Sequence, residues 1–195
     1  EIGASLFDNE ELDIATDVMS KAREESLKRD FVFYLPQDGV VSTELDSKSK
    51  TRIVDWNANV IAEIESYPAK PKHATTAVAS NEKILDIGPF SGAFISGAMQ
   101  MVDTVVWNGT MGVSEIPAVH GPIGPFAQGT ELVIDSLVGK FGHKPFSLIG
   151  GGDTTGYIEQ RKMTDMFNHV STGGGASLEL MSGKSLPGVE VLWDK

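Results

Sequence analysis

Two glycine-rich segments contain the residue types and spacing that could do chemistry. Residues Gly150–Thr154 read Gly-Gly-Gly-Asp-Thr, and residues Ser171–Gly175 read Ser-Thr-Gly-Gly-Gly. Each segment follows a short apolar run and precedes a helical pattern, so backbone N–H groups and a helix N-terminus point at one place, as in phosphate sites. Glycines let a ligand approach the backbone closely, and Asp153 offers a hard oxygen ligand for Mg²⁺. The two segments therefore predict a cradle for nucleotide phosphates.

Neither segment matches a standard nucleotide-binding signature. No lysine stands at the spacing that a Walker loop requires, and the last glycine of G-x-G-x-x-G is replaced by Thr155 in one segment and by Leu178 in the other. Glycines at such turns also serve close helix–strand packing without any ligand. We favour phosphate binding because the pattern occurs twice, each time beside hydroxyl or carboxylate side chains. The Walker-like run 183–185 lacks the upstream glycine and is interpreted as a helix end.

The composition limits the partners of this chain. It has 195 residues, of which 16 are Lys or Arg and 27 are Asp or Glu, with a net charge of −11. This balance argues against nucleic acid and anionic membranes as partners. There is no cysteine, and the four histidines do not have metal-ligand spacing, so we expect no zinc site. The first residue is Glu1, and we expect the chain to be a portion of a longer protein, a processed product or a trimmed form.

The first half of the chain gives a mixed pattern. Asp8 and Glu11 resemble a capping box and predict a helix over residues 9–29, and the apolar run Phe31–Leu35 predicts a buried strand. Residues 42–82 are polar and irregular, so we expect them to form a surface excursion, with a possible helical turn over Val60–Ile64.

The second half alternates apolar runs with helical patterns. Strands are predicted over residues 83–87, 104–107, 146–149 and 169–171, and helices over 91–101, 126–141 and 153–160 and from the second glycine triplet onward. Ser91 is the expected cap of the first of these helices, and Trp107 is an expected core residue. The alternation predicts an α/β fold, with a parallel sheet covered by helices on both faces in a Rossmann-like arrangement. Ligands of such sheets collect at the carboxyl ends of the strands, where Asp86, Asn108, Asp153 and Ser171 are expected. For Asp86 we favour a role in closing its strand over a role as a second metal ligand.

Several motifs, taken together and in this order, resemble the C-terminal nucleotide-binding lobe of phosphoglycerate kinase. The motifs are Leu85–Pro89, Val105–Gly109, Met111–Val113, Gly150–Thr154, His169–Leu180, Gly183-Lys184 and Leu186–Val189. The resemblance covers essentially the whole chain. It implies a single, incomplete nucleotide-binding domain over residues 1–195, with 42–82 as an excursion within it, and an enzyme that moves a phosphoryl group between 1,3-bisphosphoglycerate and Mg-ADP in glycolysis.

The resemblance also implies a role for particular residues. Asp153 would hold the Mg²⁺ that accompanies ADP or ATP, Asn108 would reach the phosphate chain, and Glu115 would bind the ribose. The other implied nucleotide-binding residues are Gly151, Gly152, Thr154, Ser171 and Thr172. The implied catalytic residues, which would steady the phosphoryl group in transfer, are Gly173, Gly174 and Gly175. Such a site acts by positioning and charge stabilisation.

The chain also departs from the family pattern. Thr110 stands in place of the usual proline after Trp-Asn-Gly, Ser114 replaces an aromatic residue, and residues 116–125 resemble an insertion. The N-terminal lobe and the first two strands of the C-terminal lobe are missing. The chain alone is therefore not expected to turn over. The alternatives are a catalytically inactive structural or regulatory relative and a stand-alone ATP-binding module.

The missing parts determine the expected partners. The resemblance implies ATP or ADP as ligand, and 3-phosphoglycerate only together with the missing lobe. The missing lobe, or another protein, would cover an exposed apolar surface and an unpaired strand edge. A cytoplasmic location, or a glycolytic organelle, is expected.

Overall fold

The computed structural model describes residues 2–56, 77–171, 173 and 175–193. The chain divides into two compact units, one formed by residues 1–44 and 50–91 and the other by 45–49 and 92–195. The sequence predicted one incomplete domain, and that description of the whole chain stays a prediction.

In its described residues, the first unit contains a long helix and an antiparallel sheet. Its elements are α1 (Leu12–Lys28), β1 (Asp38–Ser42), β2 (Arg52–Asp55) and β3 (Lys83–Ile87). The strand order is β2-β1-β3, with β1 antiparallel to both neighbours. Val41, Val54 and Val78 form the buried cluster of this unit.

Three expectations for the first unit were wrong. Phe31–Leu35 is not a strand, and its apolar side chains are largely exposed, with Val32 at 80%. The strand of this region is β1 instead. Its end residues, Asp38 and Ser42, are polar, so the sequence around the buried Val41 does not have the apolar run that predicts a strand. Residues 42–82 are not irregular throughout, because β2 and the buried Val78 belong to the sheet and its core. Residues 57–76, which include the turn proposed at Val60–Ile64, lie outside the described residues.

The third correction concerns β3, which was expected in the parallel sheet. It pairs antiparallel with β1, so Asp86 belongs to a different sheet from Asn108. Asp86 is buried, and its Oδ1 accepts a hydrogen bond from the N–H of Ile87 at 2.8 Å. The carboxylate therefore acts on its own strand, which agrees with the simpler of the two roles considered for it.

The expected helix caps also differ from the observed ones. Helix α1 has no side-chain cap, because Asp8 Oδ1 accepts its hydrogen bond from the N–H of Glu10, one residue before the capping residue Glu11. Helix α2 (Pro89–Met99) is capped by Asp38, whose carboxylate accepts from the N–H groups of its first turn, and not by Ser91. Asp38 lies 52 and 53 positions before the two residues whose N–H groups it accepts from, so no local sequence motif predicts this cap.

The second unit confirms the α/β fold with a parallel sheet. Its remaining elements are β4 (Thr104–Asn108), α3 (Gln128–Leu137), β5 (Phe146–Gly150), α4 (Gly152–Gln160), a 3₁₀ turn (Thr164–Met166), β6 (His169–Val170), α5 (Gly175–Met181) and α6 (Pro187–Trp193). The strand order is β4-β5-β6, and both pairs are parallel. None of the helices in the described ranges is long and apolar enough to cross a membrane.

Side chains alternate between the two faces of this sheet. Trp107 and Ile149 pack into a core formed largely with α3 and α4, and this confirms Trp107 as a core residue. The other buried members of that core are Ala127, Val133, Ile134, Leu137, Tyr157, Ile158 and Phe167. Val106 and Leu148 line a cavity together with Leu180 of α5. Helices therefore lie on both faces of the sheet.

Helices α4 and α5 of the second unit end in left-handed turns. After α5, Gly183 has a φ of +78°, and the N–H of Lys184 donates to Glu179 O, so the Walker-like run is a helix end, as expected. After α4, the left-handed residue is Lys162, with a φ of +55°, and the N–H of Met163 donates to Ile158 O. Both endings satisfy carbonyl groups of the last helical turn.

Candidate nucleotide site

Asn108 ends β4 and lies against the turn that joins β5 to α4. A Cβ atom on Gly150 would stand 3.2 Å from Asn108 Nδ2, and one on Gly151 would stand 3.1 Å from Asn108 Oδ1. Gly151 also has a φ of +88°, which L side chains rarely adopt. Two separate constraints therefore favour glycine at position 151: the positive φ of the turn and the Asn108 amide packed beside it. The structure brings together Asn108 and the first glycine triplet, as the sequence predicted.

Asp153 is in the first turn of α4 and is exposed. Within the described ranges, no hydrogen bond or ion pair engages its carboxylate, and a Cβ on the adjacent Gly152 would meet nothing within 4 Å. An unengaged carboxylate with open space beside it suits the hard oxygen coordination of Mg²⁺. No group of three or more His, Asp or Glu side chains that could hold a metal occurs among the described residues. Any metal here would take most of its ligands from phosphate and water.

Thr154 is fully buried, and its Oγ1 accepts a hydrogen bond from the N–H of Gly109 at 2.8 Å. This bond ties the first turn of α4 to the loop that follows β4. Trp107 Nε1 donates to Gly109 O at 2.7 Å and holds the same loop from the strand. The observed contact of Thr154 is thus with the protein backbone, and the nucleotide contact implied for it stays a prediction.

The second glycine segment is organised by two serines. Ser171 Oγ accepts from the N–H of Gly173 at 3.2 Å and shares a hydrogen bond of 2.8 Å with Ser177 Oγ. Gly175 begins α5, a helix of only seven residues. Thr172 and Gly174 lie outside the described residues. The roles proposed for Ser171, Gly173 and Gly175 stay predictions.

A cavity of about 220 Å³ opens between the strand ends and α5. Its lining is mostly apolar, with Val106 and Leu180 among the lining residues, and Asn108, Ser171 and Ser177 also border it. The cavity therefore borders both glycine segments, through Gly150 of the first and Ser171 of the second. Several predicted site residues do not line it, and these are Gly151, Gly152, Asp153, Thr154 and Glu115. Glu115 is exposed in the loop between β4 and α3, and the roles implied for these residues stay predictions.

Sequence reasoning missed a polar network on α3. Thr130 is fully buried and accepts a hydrogen bond from the N–H of Met111 at 3.0 Å. Glu131 is also buried and binds Tyr157 and Arg161 of the α4 region. The available signal was spacing, because Thr130 precedes the core residue Ile134 by four positions and so lies on the buried face of the helix.

The network shifts the ionisation of its members. Burial, and then the hydrogen bond to Glu131, raises the pKa of the Tyr157 hydroxyl above its usual value. The hydrogen bond to Glu131 raises the pKa of the Arg161 guanidinium. The tyrosine is therefore neutral and the arginine charged at physiological pH.

Taken together, the parallel sheet and the glycine turns at its strand ends define a Rossmann-like α/β protein. The family model of phosphoglycerate kinase matches residues 1–184, and the chain belongs to the phosphoglycerate kinase family. It is similar to the phosphoglycerate kinase of Coxiella burnetii, at 33% sequence identity and a TM-score of 0.75 over 98% of this chain and 41% of that one. It shares the fold of the enzyme from Pyrococcus horikoshii OT3, at 24% identity and a TM-score of 0.62 over 99% of this chain and 40% of that one. The chain thus spans about two fifths of the length of these structures.

Proposed function

We propose that the chain supplies the nucleotide-binding part of a phosphoglycerate kinase and holds Mg-ADP or Mg-ATP at the β5–α4 turn. The observation that carries this proposal is that the Asn108 amide lies against the glycine turn that leads directly to the exposed Asp153. Family membership supplies the reaction, phosphoryl transfer between 1,3-bisphosphoglycerate and Mg-ADP.

In this proposal the residues of the site act by positioning the metal and the charged phosphates of the nucleotide. The Asp153 carboxylate would hold Mg²⁺, which would offset the negative charge of the phosphates. The N–H₂ group of the Asn108 amide is a donor with which to orient the phosphate chain. Gly151 and Gly152 let the nucleotide approach the backbone, and Thr154 fixes the turn to the Gly109 loop. The arrangement requires no covalent intermediate on the protein.

The second glycine segment completes the proposed site. Gly173, Gly174 and Gly175 would steady the phosphoryl group, with Ser171 and Thr172 beside the nucleotide. Glu115 stays the proposed ribose ligand on family grounds alone. The substrate 3-phosphoglycerate would bind only when the rest of the enzyme is present, and the cytoplasm is the location expected for such an enzyme.

The alternative proposal is an inactive relative that keeps the fold. The departures from the family pattern at Thr110 and Ser114 favour it. Thr110 Oγ1, however, donates to Gly112 O at 2.9 Å and closes the turn in which the family usually has a proline. This contact supports an intact loop and hence the enzyme proposal.

Asp153→Ala tests the proposed site. The substitution should remove the Mg²⁺ dependence of ADP binding, so that calorimetry gives the same affinity with and without the metal. Asp165→Ala is the matched control, because Asp165 is also an exposed acidic residue in the first turn of a short helix. Unchanged metal-dependent affinity in Asp153→Ala would contradict the assignment.

A further inference from the structure

Glu131 joins helices α3 and α4 through three hydrogen bonds to one buried carboxylate. Its Oε1 accepts from Tyr157 Oη at 2.6 Å and from Arg161 Nε at 2.7 Å, and its Oε2 accepts from Arg161 Nη2 at 2.9 Å. The Glu131 side chain is 8% exposed and that of Arg161 is 19% exposed. The buried Glu131 carboxylate is satisfied by these three bonds, and removing one of its partners is costly.

The same two helices hold the loop that follows Asn108. Thr154 of α4 accepts from the N–H of Gly109, and Thr130 of α3 accepts from the N–H of Met111. Since Glu131 follows Thr130 directly, the contacts form a closed circuit. It runs from the loop to α4, across Glu131 to α3, and back to the loop.

Within this circuit the proposed metal ligand depends on Glu131. Asp153 lies four residues before Tyr157 and eight before Arg161, at the opposite end of the same helix. The nine-residue helix is about 13 Å long, and the Thr154–Gly109 bond holds only its N-terminal end. Without the Glu131 contacts the helix would be free to turn about that bond, and this turning would change the direction of the Asp153 side chain next to it.

We propose that Glu131 is a positioning residue that sets the place of Asp153 relative to Asn108. This inference rests on the proposed function. Glu131 touches neither the cavity nor the turn, and it acts through α4 and through the loop after β4. A shift of about 1 Å at such a site can cost on the order of 100-fold in function.

Glu131→Gln is the principal test in the 195-residue chain. The amide removes the charge and one acceptor while it keeps the volume of the side chain. We expect the affinity for Mg-ADP to fall at least 10-fold, and that for ADP without metal to change less than 3-fold, because Asp153 contributes only when the metal is present. Calorimetry at equal folded fraction measures both values.

Ile134→Val is the matched control, since it lies on the same helix in the buried core and removes one methylene group. Such a change costs roughly 0.5–1.5 kcal/mol of stability without touching the circuit. We expect the control to leave the ratio of the two affinities unchanged. An equal ratio in Glu131→Gln, in its control and in the parent would overturn the positioning role while leaving the nucleotide site in place.

Tyr157→Phe keeps the test decisive if Glu131→Gln does not fold. It removes one of the three bonds and leaves the ion pair intact, and we expect a loss of about 3-fold in Mg-ADP affinity with metal-free binding unchanged. An unchanged ratio in this variant would also overturn the proposal. If the parent chain itself shows no Mg²⁺-dependent ADP binding, the proposed function fails as well, which is a different result from an unaffected variant.

Discussion

Asp38 and Ser91 bind one another through reciprocal hydrogen bonds between a strand and a helix. The N–H of Ser91 donates to Asp38 Oδ1 at 2.8 Å, and the N–H of Asp38 donates to Ser91 Oγ at 3.3 Å. Asp38 Oδ2 also accepts from the N–H of Phe90 at 2.9 Å. The pair reproduces the logic of a capping box across 53 positions of sequence and fastens β1 to the first turn of α2. Asp38 is only 3% exposed, so no water can readily replace these bonds.

Asp38→Ala should therefore lower the free energy of unfolding by about 2 kcal/mol, because two helix N–H groups would lose their acceptor in a buried place. Asp38→Asn keeps one carbonyl acceptor and should cost less. Urea denaturation followed by circular dichroism measures both. Asp17→Ala, which breaks an exposed ion pair with Lys21, is the control and should cost far less, because solvent screens that pair. Equal losses for Asp38→Ala and Asp17→Ala would show that the cap is unimportant.

The buried hydroxyl of Tyr157 predicts a loss of stability at alkaline pH. Its pKa is raised in the folded chain above the usual tyrosine value of about 10, so its contribution is complete below about pH 10 and is lost as the pH rises through the folded pKa. We expect the urea midpoint of the parent to fall more steeply above about pH 10 than that of Tyr157→Phe, which has no group to ionise. Parallel curves for the two proteins would contradict this expectation.

The chain by itself should not turn over phosphoglycerate. It spans about two fifths of the related structures, and a half-site open to water loses both substrate positioning and electrostatic stabilisation, each worth several kcal/mol. A coupled assay that follows nucleotide production from 1,3-bisphosphoglycerate should show no activity with the chain alone. Activity restored by adding the rest of the enzyme would favour the enzyme over the inactive relative. Substantial activity of the isolated chain would refute the prediction.

The apolar side chains of the C-terminal helix predict association with a partner. Val191 is 71% exposed and Leu192 is 75% exposed, and α1 also exposes Leu12 at 53% and Met19 at 50%. The missing lobe, or another protein, is the proposed cover for such surface. The purified chain should bind a hydrophobic dye and elute as associated species, and a double Val191→Ser and Leu192→Ser variant should do both less. A monomer that binds no dye would rule this out.

The sequence predicted the second unit well because its signals are local. Each strand is a short apolar run, and glycine turns mark the ends of β5 and β6. Asn108 and Asp153 were placed together because the carboxyl ends of parallel strands share one edge of a sheet. Those positions follow from topology alone and need no knowledge of side-chain contacts.

The sequence did not predict the sheet of the first unit or the hydrogen bonds that hold the candidate site in place. The pairing of β1 with β3 includes a register shift between Val40 and Val41 and joins residues more than forty positions apart. Likewise, the burial of Thr154 and the bonds of Glu131 depend on how α3 packs against α4. A polar residue on an otherwise buried helical face signals that a partner exists, but only the tertiary structure identifies it.

The turn after α4 offers a position at which the stability of this chain could be increased by substitution. Lys162 adopts a left-handed backbone conformation that disfavours L residues by roughly 1–2 kcal/mol and that glycine adopts freely. The residue is exposed, so exchange for glycine would relieve strain without touching the packed interior. The thermal stability of the chain can therefore be raised at a position outside the proposed site. This is common, because natural proteins are not selected for maximal stability.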